Sequence, residues 1–161
     1  FAVAYLSTSA VQFFNPSQTC IYSWRMGRGH EHLVDILGLD KAEGVFSGVI
    51  QCDGYSAYDA LAKRYLGIRL GGCLAHIRRK FYESQKQAPE VVLPLLRLMQ
   101  EPYRIKELLR QSGAPPNCRE LIRRSWSGPV VEGIYQKLLI ERARHLPQSN
   151  QGKALSYALN Q

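Results

Sequence analysis

Asp53 is the residue of this 161-residue chain whose type and position best suit chemistry. It ends a mostly apolar run that starts at Val45, has the length of a strand buried on both faces and is followed by Gly54. A carboxylate at the carboxyl end of such a strand lies where open α/β sheets bind ligands, and its oxygens suit hard cations such as Mg²⁺. A carboxylate there can also cap the helix that follows. The sequence alone leaves both roles open.

A basic run at residues 76–80 is the second candidate. On a helix, His76, Arg79 and Lys80 share one face, while Ile77 and Phe81 point the other way into a core. A cationic face of this kind suits contacts with phosphate groups. A solvated helix face explains the same pattern equally well.

A basic loop at residues 25–32 is the third candidate. Arg25 and Arg28 occur together with Gly27 and Gly29, so guanidinium groups and backbone amides could together meet a phosphate, although a simple polar hairpin loop explains them nearly as well. In the same loop, His30 and His32 flank Glu31. Adjacent and alternate positions do not converge readily on one ion, so we predict no metal site there.

The cysteines and the standard motifs exclude several classes of protein. Four cysteines occur without a CxxC pair, which indicates reduced thiols and a cytosolic protein rather than a disulfide framework or a structural zinc site (Cys20, Cys52, Cys73, Cys118). The chain has no GxSxG, Walker or HExxH sequence, so it offers no support for a serine hydrolase, a P-loop NTPase or a zincin.

The first half of the chain predicts an α/β arrangement. Phe1–Leu6 and Cys20–Trp24 read as strands of a hairpin around a turn at residues 15–17, and a short helix or turn ends at Gly38. Ser56 and Asp59 resemble a capping box at the start of a helix. The order from there is strand, helix, strand, helix, which predicts a parallel strand pair (residues 45–53, 56–65, 68–75 and 76–83).

The second half predicts helix after helix. Apolar residues recur at helical intervals, and turns at residues 113–116 and 127–129 separate the segments (residues 91–111, 118–126, 130–146 and 152–160). The change of character lies near residues 84–90. We therefore predict an α/β domain over residues 1–87 and an all-helical region over residues 88–161.

Charge is divided unevenly along the chain. Residues 1–60 carry three basic and six acidic residues, a net charge of −3, whereas residues 61–161 carry 18 and seven, a net charge of +11. Such an excess favours a polyanionic partner, nucleic acid before membrane, although a merely basic surface is an equally good explanation. No apolar run approaches the roughly 18 residues of a membrane-spanning helix.

Three blocks of the sequence resemble one known family. The blocks QCDGYSAY at 51–58 and GCLAHIRRKFY at 72–82 resemble the patterns DGYxxY and CxAHxRRKF of bacterial insertion-sequence-66 transposases. The tail LPQSNQGKALSYALNQ at 146–161 is similar to the stretch before that family's last catalytic region. One departure is Leu74, where the family usually has an aromatic residue. The resemblance spans nearly the whole chain, and the three blocks occur in the family's order, which makes it specific.

The resemblance implies a ribonuclease-H-like core with an Asp, Asp, Glu triad that binds two Mg²⁺ or Mn²⁺ ions and cuts and joins DNA. Asp53 matches the second Asp, and His76 would lie near the reacting groups. DNA phosphates would be held by basic side chains of the two runs (Arg25, Arg28, Arg78, Arg79, Lys80). The resemblance also implies a homo-oligomer that works on DNA in the bacterial cytoplasm, at the nucleoid.

The acidic residues that would complete the triad are missing from their expected places. Before Val34 the only acidic residue is Glu31, and none follows Glu141. The chain also starts without Met. We therefore expect an internal fragment, inactive by itself and binding Mg²⁺ weakly or not at all. Two alternatives remain: a non-catalytic DNA-binding remnant of a mobile element, and a helical interaction module unrelated to DNA that rests on residues 88–161.

Overall fold

The computed structural model describes the backbone of residues 2–6, 10–14 and 20–24, and describes residues 26, 29–41 and 46–161 with their side chains. It is a mixed α/β structure in which helices predominate. Two compact units are present, Phe1–Cys73 together with Gln161, and Leu74–Asn160. Each unit has its own apolar core.

The described strands of the first unit are β1 (Ala2–Leu6), β2 (Ala10–Phe14), β3 (Cys20–Trp24), β4 (Gly48–Cys52) and β5 (Ile68–Gly72). They form one five-stranded mixed sheet in the order β3-β2-β1-β4-β5. The first three strands pair antiparallel, and β4 lies parallel to both β1 and β5. In this register Ile50 of β4 is opposite Ala2 on one side and Leu70 on the other.

The predicted hairpin is wrong in one respect. The two strands that we predicted are β1 and β3, but β2 lies between them and pairs with both. Segment β2 contains Val11, Phe13 and Phe14, which are residue types that favour strands, and it therefore forms the strand between β1 and β3. The turn at residues 15–17 lies outside the described residues.

Two helices pack on this sheet. Helix α1 (His30–Leu37) ends at Gly38, whose φ of 64° is left-handed, as the sequence predicted. Helix α2 (Ser56–Arg64) connects the parallel strands β4 and β5, which confirms the predicted strand, helix, strand order. The core that joins these elements is fully buried at its centre (Leu33, Ile50, Tyr58, Leu61).

The second unit consists of helices throughout its described length. They surround a core built from Phe81, Val92, Leu95, Met99 and Leu155, among others. Because Phe81 lies in this core, its helix α3 (Leu74–Ser84) packs with the later helices. The division of the chain into domains at residues 1–87 and 88–161 stays a prediction. The helices are α3 (Leu74–Ser84), α4 (Pro89–Gln111), α5 (Pro116–Ile122), α6 (Gly128–Arg144) and α7 (Asn150–Leu159).

The predicted break at residues 127–129 does not occur. The chain continues from α5 into α6 through a π-helical segment, Arg123–Ser127, instead of a turn. Pro129 has no backbone N–H to donate to the preceding turn. A π-helical turn, which is wider than an α-helical one, shifts the pattern of backbone hydrogen bonds, so the helix can continue through the proline. In the part of the chain with described side chains, no helix is both long enough and apolar enough to cross a membrane.

The cysteines of the two units are expected to differ sharply in reactivity. Cys118 is exposed, whereas Cys52 is buried and burial raises the pKa of its thiol. Iodoacetamide at pH 8 should therefore label Cys118 first and Cys52 only as fast as the first unit opens, which peptide mass spectrometry measures. Both should react alike in denaturant, and equal labelling of the two in the native chain would contradict this expectation.

Candidate functional site

Asp53 lies directly after β4, at the carboxyl end of a strand that has parallel neighbours on both sides. Its carboxylate is half-buried, and its Oδ1 atom accepts a hydrogen bond from the backbone N–H of Tyr55 at 3.2 Å. Tyr55 is the N-cap of α2, and no side chain caps that helix. The hydrogen bond thus fixes the turn between β4 and α2, and it positions the carboxylate at the end of the sheet.

The predicted capping box is wrong because the helix begins one residue too early for it. Ser56 is the first helical residue of α2 rather than its N-cap. Asp53 instead makes the side-chain contact that precedes the helix, with the N–H of Tyr55. Asp53 therefore stabilises the turn before α2, and it lies at the carboxyl end of a strand with parallel neighbours, the edge at which open α/β sheets generally bind ligands.

Glycines and Gln161 shape the space beside Asp53. Gly54 has a φ of 76°, and a side chain there would overlap the amide of Gln161. A Cβ on Gly72, at the end of β5, would lie 2.5 Å from the Cβ and 2.8 Å from the carbonyl oxygen of Gln161. Gln161 therefore lies against the carboxyl ends of β4 and β5 within the first unit.

Replacing Gly72 by Ala is expected to destabilise the first unit by about 1–3 kcal/mol, the usual cost of overpacking. The added methyl group would press on the Cβ and the backbone oxygen of Gln161, which cannot turn away as the end of a side chain can. Urea unfolding measures the change. The control is Gly71→Ala, whose Cβ would lie 3.3 Å from Val49 Cγ1 and 4.0 Å from the carbonyl oxygen of Ile50, and which should cost less than about 1 kcal/mol. Equal effects of the two would contradict the close approach.

Asp53 fits one position of a metal site rather than a whole one. Its carboxylate is the hard oxygen donor that divalent cations such as Mg²⁺ take. Among the residues with described side chains, no group of three His, Cys, Asp or Glu is arranged to hold an ion. One carboxylate cannot hold the two ions of a two-metal centre.

Helix α3 carries the predicted basic run in the second unit, but its cations do not act as one group. Arg79 pairs with Glu83 on the same helix, at 2.8 Å between Nε and Oε1. Arg78 lines a cleft of about 420 Å³ with Gln100 and Tyr103 of α4. The shared face that we predicted for Arg79 and its neighbours is thus partly neutralised. His76 is half-buried on the same helix.

Lys80 lies on the other side of α3, beside α7. Its Nζ atom is 6.0 Å from the centre of the Tyr157 ring, a cation–π distance. Lys80 and Tyr157 line a cleft of about 490 Å³ together with Lys153. Lys153 and Tyr157 are not among the site residues predicted from the sequence. Their spacing of four residues, which places both on one face of a helix, is the signal that could have found them.

The loop at residues 25–32 is described only in part. Arg25 and Arg28 lie outside the described residues, so their predicted role in phosphate binding stays a prediction. His30 begins α1, and its Nδ1 is 3.7 Å from Glu31 Oε2. The Nε2 atom of His32 is 2.9 Å from the carbonyl oxygen of Met26.

Acidic residues of the second unit mostly pair with arginines on their own helices. Pairs three or four residues apart join Arg104 to Glu101, Arg110 to Glu107, Arg124 to Glu120 and Arg144 to Glu141. Hydrogen bonds from Arg110 and Gln111 lower the pKa of Glu107 to about 2. Because each of these carboxylates pairs with an arginine of its own helix, the carboxylates do not neutralise the other basic side chains of the second unit.

Comparison with known proteins gives one family. The sequence profile of the family described as "Transposase IS66 family" matches residues 4–161. Two similar proteins of Sinorhizobium fredii (strain NBRC 101917 / NGR234) carry the names uncharacterized protein y4jD and uncharacterized protein y4qI. The first is 37% identical over 122 residues, which are 71% of this chain and 23% of that protein. The second is 54% identical over 44 residues, which are 24% of this chain and 8% of that protein. No solved structure matches the chain.

Proposed function

The chain belongs to the IS66 family of transposases, and we propose from this that it is part of a catalytic domain that cuts and joins DNA. The observation that carries the proposal is the position of Asp53 within the family match, at the carboxyl end of a strand flanked by parallel strands. A mixed sheet of this kind supports the ribonuclease-H-like core that the family resemblance implies. The matched stretch covers 23% of the similar protein y4jD. We therefore propose the activity for a complete protein that is longer than this chain.

Asp53 is proposed as one ligand of a two-metal centre. The Asp53 carboxylate would hold Mg²⁺ or Mn²⁺, and ions bound there would supply activation of the attacking hydroxyl group and stabilisation of the leaving oxygen. The Tyr55 N–H holds one oxygen of Asp53, which limits the orientations of the carboxylate and keeps it at the end of the sheet. The first Asp and the final Glu of the triad are proposed to lie in a longer chain, because the sequence has no acidic residue in either expected place.

The basic residues are proposed to hold the DNA. Arg78 and Lys80 face clefts on two sides of α3, where phosphate groups can reach them. Arg79, Arg25 and Arg28 are proposed to add further phosphate contacts, and His76 to lie near the reacting groups. A protein that acts on bacterial DNA works in the cytoplasm, at the nucleoid, and joining two ends of an element favours a homo-oligomer.

The test uses the complete protein, a DNA duplex that ends in the terminal sequence of the element, and Mg²⁺. We expect cleavage and joining that stop when the ion is removed with a chelator. The 161-residue chain by itself is expected to bind DNA without cutting it. Binding without any metal-dependent cleavage by the complete protein would contradict the proposal and indicate a non-catalytic DNA-binding module. Failure to bind DNA even at low salt would instead favour a helical interaction module.

A further inference from the structure

The cleft between α3 and α7 contains cationic and aromatic side chains at its rim. Lys80 comes from α3, and Lys153 and Tyr157 come from successive turns of α7. Both lysines are exposed, and Tyr157 is half-buried beneath Lys80. The cleft, of about 490 Å³, has room for more than a single ion.

Polar side chains that line the rest of the cleft already form hydrogen bonds within the protein. Buried Ser84 donates from its hydroxyl group to the carbonyl oxygen of Phe81 at 3.0 Å. Asn150, at the edge, donates to the side-chain oxygen of Gln87 at 2.7 Å. Ala154 adds only a methyl group. The lysines are therefore the groups through which the cleft can attract a ligand.

The net positive charge of the side chains that line the cleft favours an anionic ligand. Glu83 is the one acidic residue that lines the cleft, and its carboxylate is engaged by Arg79. Residues 142–161, which include all of α7, contain no Asp or Glu. Within the described part of the chain, neither Lys80 nor Lys153 forms an ion pair with a carboxylate. Two cations thus share one cleft without a neutralising partner.

We propose that this cleft holds a phosphodiester of a DNA strand between Lys80 and Lys153, with the Tyr157 ring against the adjacent sugar or base. Two exposed lysines suit a strand that passes along the surface, and an aromatic ring beside a phosphate site is typical of nucleic-acid grooves. The proposal rests on the proposed DNA substrate and deepens it, because it assigns the contact to α7 as well as to the basic run of α3.

The salt dependence of DNA binding tests the proposal. Each lysine–phosphate contact contributes close to one unit to the slope of the logarithm of affinity against the logarithm of salt concentration. Lys153→Gln should therefore reduce the slope by about one unit and weaken binding at moderate salt severalfold. Lys80→Gln combined with Lys153→Gln should reduce it by about two units. Fluorescence anisotropy with a labelled duplex in a KCl series gives both quantities.

The matched control is Lys106→Gln, which removes the same charge from an exposed position on α4 outside the cleft. It should leave the slope unchanged. A normal slope for Lys153→Gln, in a chain that binds DNA, would overturn the cleft assignment alone. Failure of the unchanged chain to bind DNA would overturn the proposed function as well. The last measurement is the calorimetric binding of inorganic phosphate. If Lys153→Gln abolishes phosphate binding but leaves the salt slope of DNA binding unaltered, the cleft binds free phosphate and the proposal is overturned.

Discussion

Replacing Asp53 by Asn in the complete transposase is expected to lower metal-dependent strand cleavage by about a thousandfold or more. A carboxylate that holds catalytic ions contributes several kcal/mol to stabilising the transition state, and each 1.4 kcal/mol is worth about tenfold in rate. Asn keeps a side-chain oxygen that can accept the hydrogen bond from the Tyr55 N–H. The turn after β4 should therefore survive, and only the negative charge is lost.

Asp59 provides the matched control for this experiment. It is exposed in the first turn of α2, six residues after Asp53. Asp59→Asn should retain cleavage within a few fold, and both variants should bind DNA as tightly as the unchanged protein. Cleavage by Asp53→Asn within tenfold of the unchanged protein would mean that Asp53 serves only the turn, which is the role its hydrogen bond to Tyr55 already shows.

Local pattern was enough to predict much of the fold. The order from β4 to α3 follows from an apolar strand, a helical repeat and glycines at the junctions, all of which act over a few residues. The end of α1 at Gly38 is likewise a local property, because glycine adopts the left-handed conformation without strain. The π-helical segment before Pro129 was not predictable, since a proline indicates a break unless neighbouring packing keeps the helix continuous.

The candidate sites also differ in how far they could be predicted from local sequence. Asp53 could be found from sequence because the strand that positions it is adjacent in the chain. Lys153 and Tyr157 could not be placed beside Lys80, since more than 70 residues separate them and only the packing of α7 against α3 brings them together. A helical pattern identifies which residues share a face, and it does not identify the helix that the face will meet.

Phe81→Ala is expected to destabilise the second unit by about 3–5 kcal/mol, the usual cost of removing a buried aromatic ring. Phe81 is 1% exposed and lies in the core that joins α3 to α4 and α7. The adjacent residue is the control, because Tyr82 is 58% exposed and its replacement by Ala should cost less than about 0.5 kcal/mol. Urea unfolding followed by far-ultraviolet circular dichroism compares the two. Because the same helix carries Arg78 and Lys80, loosening Phe81 should also weaken DNA binding in proportion to the fraction unfolded. A loss of less than about 1 kcal/mol in Phe81→Ala would show that α3 is not anchored through this core, and the cleft beside α7 would then lack the rigid support that its proposed role requires.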